Sequence, residues 1–92
     1  MYNDDKEKSR GKVLDAAKKI VNGERQDAYG NPEDSFATIS QLWTTYLDRH
    51  ISSKDVAIMM TLLKIARMKG QLESIDNYID AAGYIGLAGD MI

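Results

Sequence analysis

From Val56 to Met68, ten of thirteen residues are apolar, and the other three, Thr61, Lys64 and Arg67, recur at three-residue steps. At about 100° per residue, such a segment predicts a helix that is apolar around most of its circumference and carries one narrow polar stripe. A helix of that kind belongs at the centre of a fold, and the rest of the chain has to surround it. Just upstream, Ser52-Ser53-Lys54-Asp55 reads as a capping box, Ser52 capping and Asp55 reaching back, while Lys69-Gly70 closes the helix. No stretch alternates with period two for long enough to predict a convincing strand.

Three more helices are expected around it. The first spans Asp5 to about Val21, with Val13, Ala17, Ile20 and Val21 on one face and Asn22-Gly23 as its stop; residues 1–8 read as a frayed end. Glu24 to Gly30 is polar and reads as an ordered loop. Asn31 caps the second helix, Pro32 fits its first position, and Glu33 and Asp34 complement the positive end of its dipole. Phe36, Ile39, Trp43 and Tyr46 give that helix a core face, which ends near Asp48-Arg49-His50. The last helix begins near Ser74, with Ile75, Ile79, Ala82 and Leu87 or Gly86 as its apolar side, and Asp76, Asp80 and Tyr84 along another stripe. Gly83, Gly86 and Gly89 leave it smooth. A mid-helix glycine costs about 1 kcal/mol relative to alanine, so this surface should touch another helix, of the same chain or of a second subunit.

The expectation is an all-α, four-helix bundle-like single domain over residues 1–92. A chain this short buries only roughly 60–65% of its unfolded surface, which favours a homo-oligomer. With no cysteine, disulfides, Cys-ligated zinc and a thiol nucleophile are excluded. The charged start, Met1 to Lys8, lacks a signal-peptide core, and no apolar run reaches the roughly 20 residues of a membrane span, so no membrane is expected and the cytoplasm is the expected address. A net charge of −2 with mixed signs argues against a DNA or RNA polymer as partner. His50 has no Ser, Cys or second His at a sensible spacing, and Met59, Met60 and Met68 read as core filling.

Lys64 and Arg67, one turn apart on the central helix, are the most informative pair. A guanidinium fork and an ammonium point charge together suit a phosphate, and the competing reading is ion pairing with Asp76 or Asp80. Asp80 and Tyr84 are candidates to address a sugar or base. Arg25 could add positive charge, and Tyr29 a ring or hydroxyl, from the loop before the second helix.

Arg25-Gln26-Asp27-Ala28-Tyr29-Gly30, Phe36-x-x-Ile39-x-x-Leu42-Trp43, the Asp55 to Arg67 segment and Asp76-x-x-x-Asp80-x-x-Gly83-Tyr84 resemble a group of uncharacterised phage and prophage domains. That group is similar to a nucleotide-modification-associated domain and, more loosely, to MazG-like all-α NTP pyrophosphohydrolases. The resemblance covers about residues 12 to 89 and implies a helical fold, oligomers and a nucleotide ligand. Read with the residues above, it implies a phage-type protein in the cytoplasm of an infected or lysogenic host, one that sequesters a nucleotide or cyclic-nucleotide immune signal without turning it over. Lys64, Arg67 and Arg25 would hold phosphate, Asp80, Tyr84 and Tyr29 the base or sugar, and no metal or other cofactor is expected. The alternative is a magnesium-dependent MazG-like pyrophosphohydrolase, with Asp76, Asp80 and acids among Glu24, Asp27 and Glu33 as ligands; Glu24-x-x-Asp27 and Glu73-x-x-Asp76 match half of that family's metal pattern. A third reading is a structural oligomer whose charged stripe is an ion-pair network.

Overall fold

Four α-helices make up most of the described residues, 10–24, 32–71 and 73–92 of a computed structural model, and none of these residues lies in a strand. Helix α1, Lys12–Lys19, follows a left-handed Gly11 (φ 87°), and the expected start at Asp5 lies outside the described residues. It runs on through a wider turn, Ile20–Glu24, in which Gly23 takes φ 145°, a conformation that favours glycine, so the expected stop is realised. Val13, Ile20 and Val21 are half-buried and Ala17 buried, while Lys12, Asp15, Lys18 and Lys19 face water, as their spacing requires.

Helix α2, Pro32–Leu47, carries Glu33 and Asp34 in its first turn; the expected cap Asn31 and the loop from Arg25 to Gly30 lie outside the described residues. Its end is a left-handed turn at Asp48 (φ 52°), where the Arg49 N–H donates to the Thr44 carbonyl at 3.3 Å. The Thr44 hydroxyl then accepts from the Ile51 N–H (2.9 Å) and donates to the Ile51 carbonyl (3.2 Å), which ties α2 to the start of the next helix.

Helix α3, Ser53–Gly70, has the expected capping box: the Asp55 N–H donates to Ser52 Oγ and the Ser52 N–H to Asp55 Oδ2, both at 3.0 Å. These bonds hold the exposed Asp55 carboxyl below its usual 3.8, the Ser52 backbone N–H contributing most. Helix α4, Ile75–Asp90, follows a short connection, so α3 and α4 form an antiparallel hairpin, the most extensive helix pairing among the described residues.

The core is small. Phe36, Val56, Ala57 and Ala88 are buried together, with Ile39, Trp43, Ile51, Ile58, Met60, Tyr84, Leu87 and Met91 packed around them. Three expectations change here. Tyr46 is 88% exposed rather than core, because α2 turns only its Phe36–Ile39–Trp43 side to α3. Helix α3 is not enclosed all round: Val56, Ala57 and Thr61 face inward, while Met59, Leu62, Leu63 and Ile65 stand open to solvent. Helix α4 keeps Leu87 of its expected apolar side against the core and Ile79 and Ala82 half-buried, but is rotated from the rest. Its inner face carries Asn77, Ala81, Tyr84 and Ala88, whereas Ile75 and Gly86 are exposed. Of the three glycines, Gly83 packs within the chain, a Cβ there meeting Val21 Cγ1 of the α1 end at 3.4 Å, and Gly86 and Gly89 border open space. Leu42, Leu62, Ile65 and Ile85 are each more than half exposed, so the described helices do not close over all of their apolar surface.

Candidate functional site

The rotation of α4 brings polar groups to the α3–α4 seam, and each buried one has a partner. Asn77, 3% exposed, donates from Nδ2 to Gln71 Oε1 at 3.0 Å near the turn of the hairpin. One turn further in, Lys64 Nζ lies 3.0 Å from Asp80 Oδ2, with 15% and 13% of the two side chains exposed. Deeper still, Thr61 is buried and its hydroxyl donates to the Ala57 carbonyl at 2.9 Å, so it makes no demand on the seam. Burying a lone ammonium or carboxylate costs several kcal/mol, and this is why Lys64 and Asp80 meet across the seam.

The stripe of α3 thus rises from the core to water: Thr61 buried, Lys64 mostly buried and paired, Arg67 exposed. On α4 the expected Asp76, Asp80 and Tyr84 line separates. Asp76 is exposed, Asp80 is in the seam, and Tyr84 is half-buried with its ring tilted against Phe36 at a centroid distance of 6.0 Å. Arg25 and Tyr29 lie outside the described residues. The structure therefore joins Lys64 to Asp80, sets Arg67 one turn along the same helix, and uses Tyr84 as part of the core edge.

Sequence reasoning overlooked Asn77. The signal was available, since Asn77, Asp80, Ala81, Tyr84 and Ala88 fall at three- and four-residue steps on one helical face. A Lys ammonium carries three N–H donors, and Asp80 occupies one direction at Lys64. Among the described residues, no group of three or more His, Cys, Asp or Glu side chains is placed to hold a metal ion. No helix among them is long and apolar enough to cross a membrane.

Two curated proteins show what the chain is similar to. It is 43% identical over 74 residues to the gene 55 protein of Mycobacterium phage D29, covering 80% of this chain and 49% of that one. It is 38% identical over 80 residues to the gene 55 protein of Mycobacterium phage L5, covering 86% and 51%. The chain thus spans about half the length of the curated relatives it matches. No solved structure matches it. The family profile described as a domain of unknown function, DUF6378, matches residues 12–92, and the chain belongs to that family.

Proposed function

We propose that this chain is a phage-type nucleotide-binding protein that sequesters a nucleotide or cyclic nucleotide rather than turning it over. Arg67 and Lys64 take the phosphate, Asp80 addresses a sugar or base, and Tyr84, its ring already packed on Phe36, offers its hydroxyl end. Arg25 and Tyr29 complete the site in this reading. The observation that carries it is the Lys64–Asp80 pair, held at 3.0 Å near the mouth of the α3–α4 seam with Arg67 exposed one turn away. Asp80 keeps the lysine extended and oriented without a ligand, and Arg67 adds a planar fork beside it.

Native mass spectrometry with a nucleotide panel that includes cyclic nucleotides tests the reading, followed by titration of Arg67→Gln and Arg67→Lys. Arg67 is exposed, so both variants should melt like the parent protein. Loss of one charge-assisted hydrogen bond, about 1.5–3 kcal/mol, should weaken binding roughly ten- to hundredfold. Retention of no nucleotide, or unchanged affinity in Arg67→Gln, would sink it. Binding abolished by EDTA and restored by magnesium, with a product mass, would favour the pyrophosphohydrolase instead. The same ion pair favours a second reading, in which Lys64 and Asp80 are architecture alone; under it the Arg67 variants leave no binding to lose.

A further inference from the structure

The outward side of α3 is an apolar strip that no other described residue covers. Asp55, Met59, Leu62, Ala66 and Lys69 follow one another at steps of four and three, the heptad spacing of a helix seam, and Leu63 and Ile65 flank them. Met59 is 39% exposed, Leu62 59%, Leu63 48% and Ile65 51%, and Ala66 is exposed as well. The strip ends in an acid in the first turn and a base in the last, both exposed, and Leu62 lies seven residues from each. The two ends are about 21 Å apart along the helix.

We propose that this strip is the seat of a second copy of the same chain, α3 lying antiparallel on its counterpart about a two-fold axis near Leu62. Charge complementarity selects the occupant and its direction. Antiparallel apposition sets the Asp55 end of one helix against the Lys69 end of the other, twice, whereas a parallel pair would set Asp55 on Asp55 and Lys69 on Lys69. A surface that is its own complement under a two-fold rotation is what an isologous dimer needs. Antiparallel helices also place opposite dipole ends side by side. The seam toward α4 is on the other side of α3, so this interface leaves Lys64 and Arg67 where they are and does not depend on the nucleotide reading.

Sedimentation of the 92-residue protein over a range of concentrations is the first test, with dimers expected. Leu62→Glu changes a residue that is exposed in the single chain, so helicity should be unchanged while self-association weakens by about a hundredfold or more, each dimer losing two buried leucines. Lys69→Glu should weaken association through repulsion with Asp55, and adding Asp55→Asn, which keeps a cap acceptor, should restore part of it. The absence of cysteine allows a direct reading of orientation. Mixed Met59→Cys and Ala66→Cys proteins should form the heterodisulfide on mild oxidation. Met59→Cys alone should crosslink poorly, because antiparallel pairing sets its two copies about 9 Å apart along the axis, beyond disulfide reach. A protein monomeric at all concentrations, or one whose association is untouched by Leu62→Glu, would overturn the proposal, and so would homodisulfides of Met59→Cys forming in preference to the mixed species.

Discussion

Replacing Lys64 by methionine isolates the energetics of the α3–α4 seam. Methionine keeps the length and apolar stem of lysine and removes only the ammonium. Asp80 then loses the cation at 3.0 Å, with its side chain only 13% exposed. Breaking a fully buried pair costs about 3–5 kcal/mol, and losing an exposed pair about 0–1. With 15% and 13% of the side chains exposed, this pair sits nearer the buried limit, and about 2–3 kcal/mol is expected. For a domain of this size each kcal/mol moves Tm by about 4–8 °C, so a fall of roughly 8–24 °C should appear in a thermal melt followed by circular dichroism. The double variant Lys64→Met with Asp80→Leu should recover most of that loss, because an apolar pair of similar volume carries no desolvation penalty. A fall of less than about 4 °C in the single variant would refute the reasoning, since it would mean that Asp80 is satisfied without Lys64. So would a double variant less stable than either single one.

Thr44→Val removes both hydrogen bonds to Ile51 and should cost about 1–2 kcal/mol in chemical denaturation, whereas Thr44→Ser should keep most of it. Gly86→Ala adds a methyl group where nothing lies within 4 Å, so a melt should show a gain of about 0.5–1 kcal/mol; a loss would mean that the smooth face of α4 is in contact after all. The Asp55 carboxyl is held below 3.8 in the folded chain, so its cap contribution is full above the unfolded value and disappears as pH falls through the lower folded one. Acid titration of Asp55→Asn should therefore show a shallower loss of stability than the parent protein in that window.

Much of this was legible in the residues. The capping box at Ser52 and Asp55, Pro32 at the head of α2 and the glycine stop at Gly23 are local chemistry, and local chemistry is written in short spans of sequence. The inner face of α4 was not. Apolar spacing pointed to Ile75, Ile79 and Ala82, but Asn77 and Asp80 could go inward because Gln71 and Lys64 satisfy them, and that compensation comes from α3 and the residue that caps it. The openness of α3 failed for a related reason. Ten apolar residues in thirteen state how much surface wants covering, not whether a chain of this size can cover it. For the site, the pairing of Lys64 with Asp80 was among the readings of the stripe, while the different depths of Lys64 and Arg67 depend on where the seam ends.

The docking of α1 onto α4 has a consequence for synthesis. Val21 and Gly83, which meet at 3.4 Å from a Cβ built on the glycine, are 62 positions apart in the chain (83 − 21). The α3–α4 hairpin, by contrast, joins neighbours separated by a short turn, and such local contacts close quickly. On a ribosome adding roughly 5–20 residues per second, α1 emerges about 3–12 s before the residue it will pack against. For that interval Val13, Ile20 and Val21 have no surface of α4 to cover them. The four charges of α1, Lys12, Asp15, Lys18 and Lys19, all outward-facing in the folded chain, keep that waiting helix hydrated. Helix α1 is thus made before the surface it packs on, and its charged side is what meets water in between.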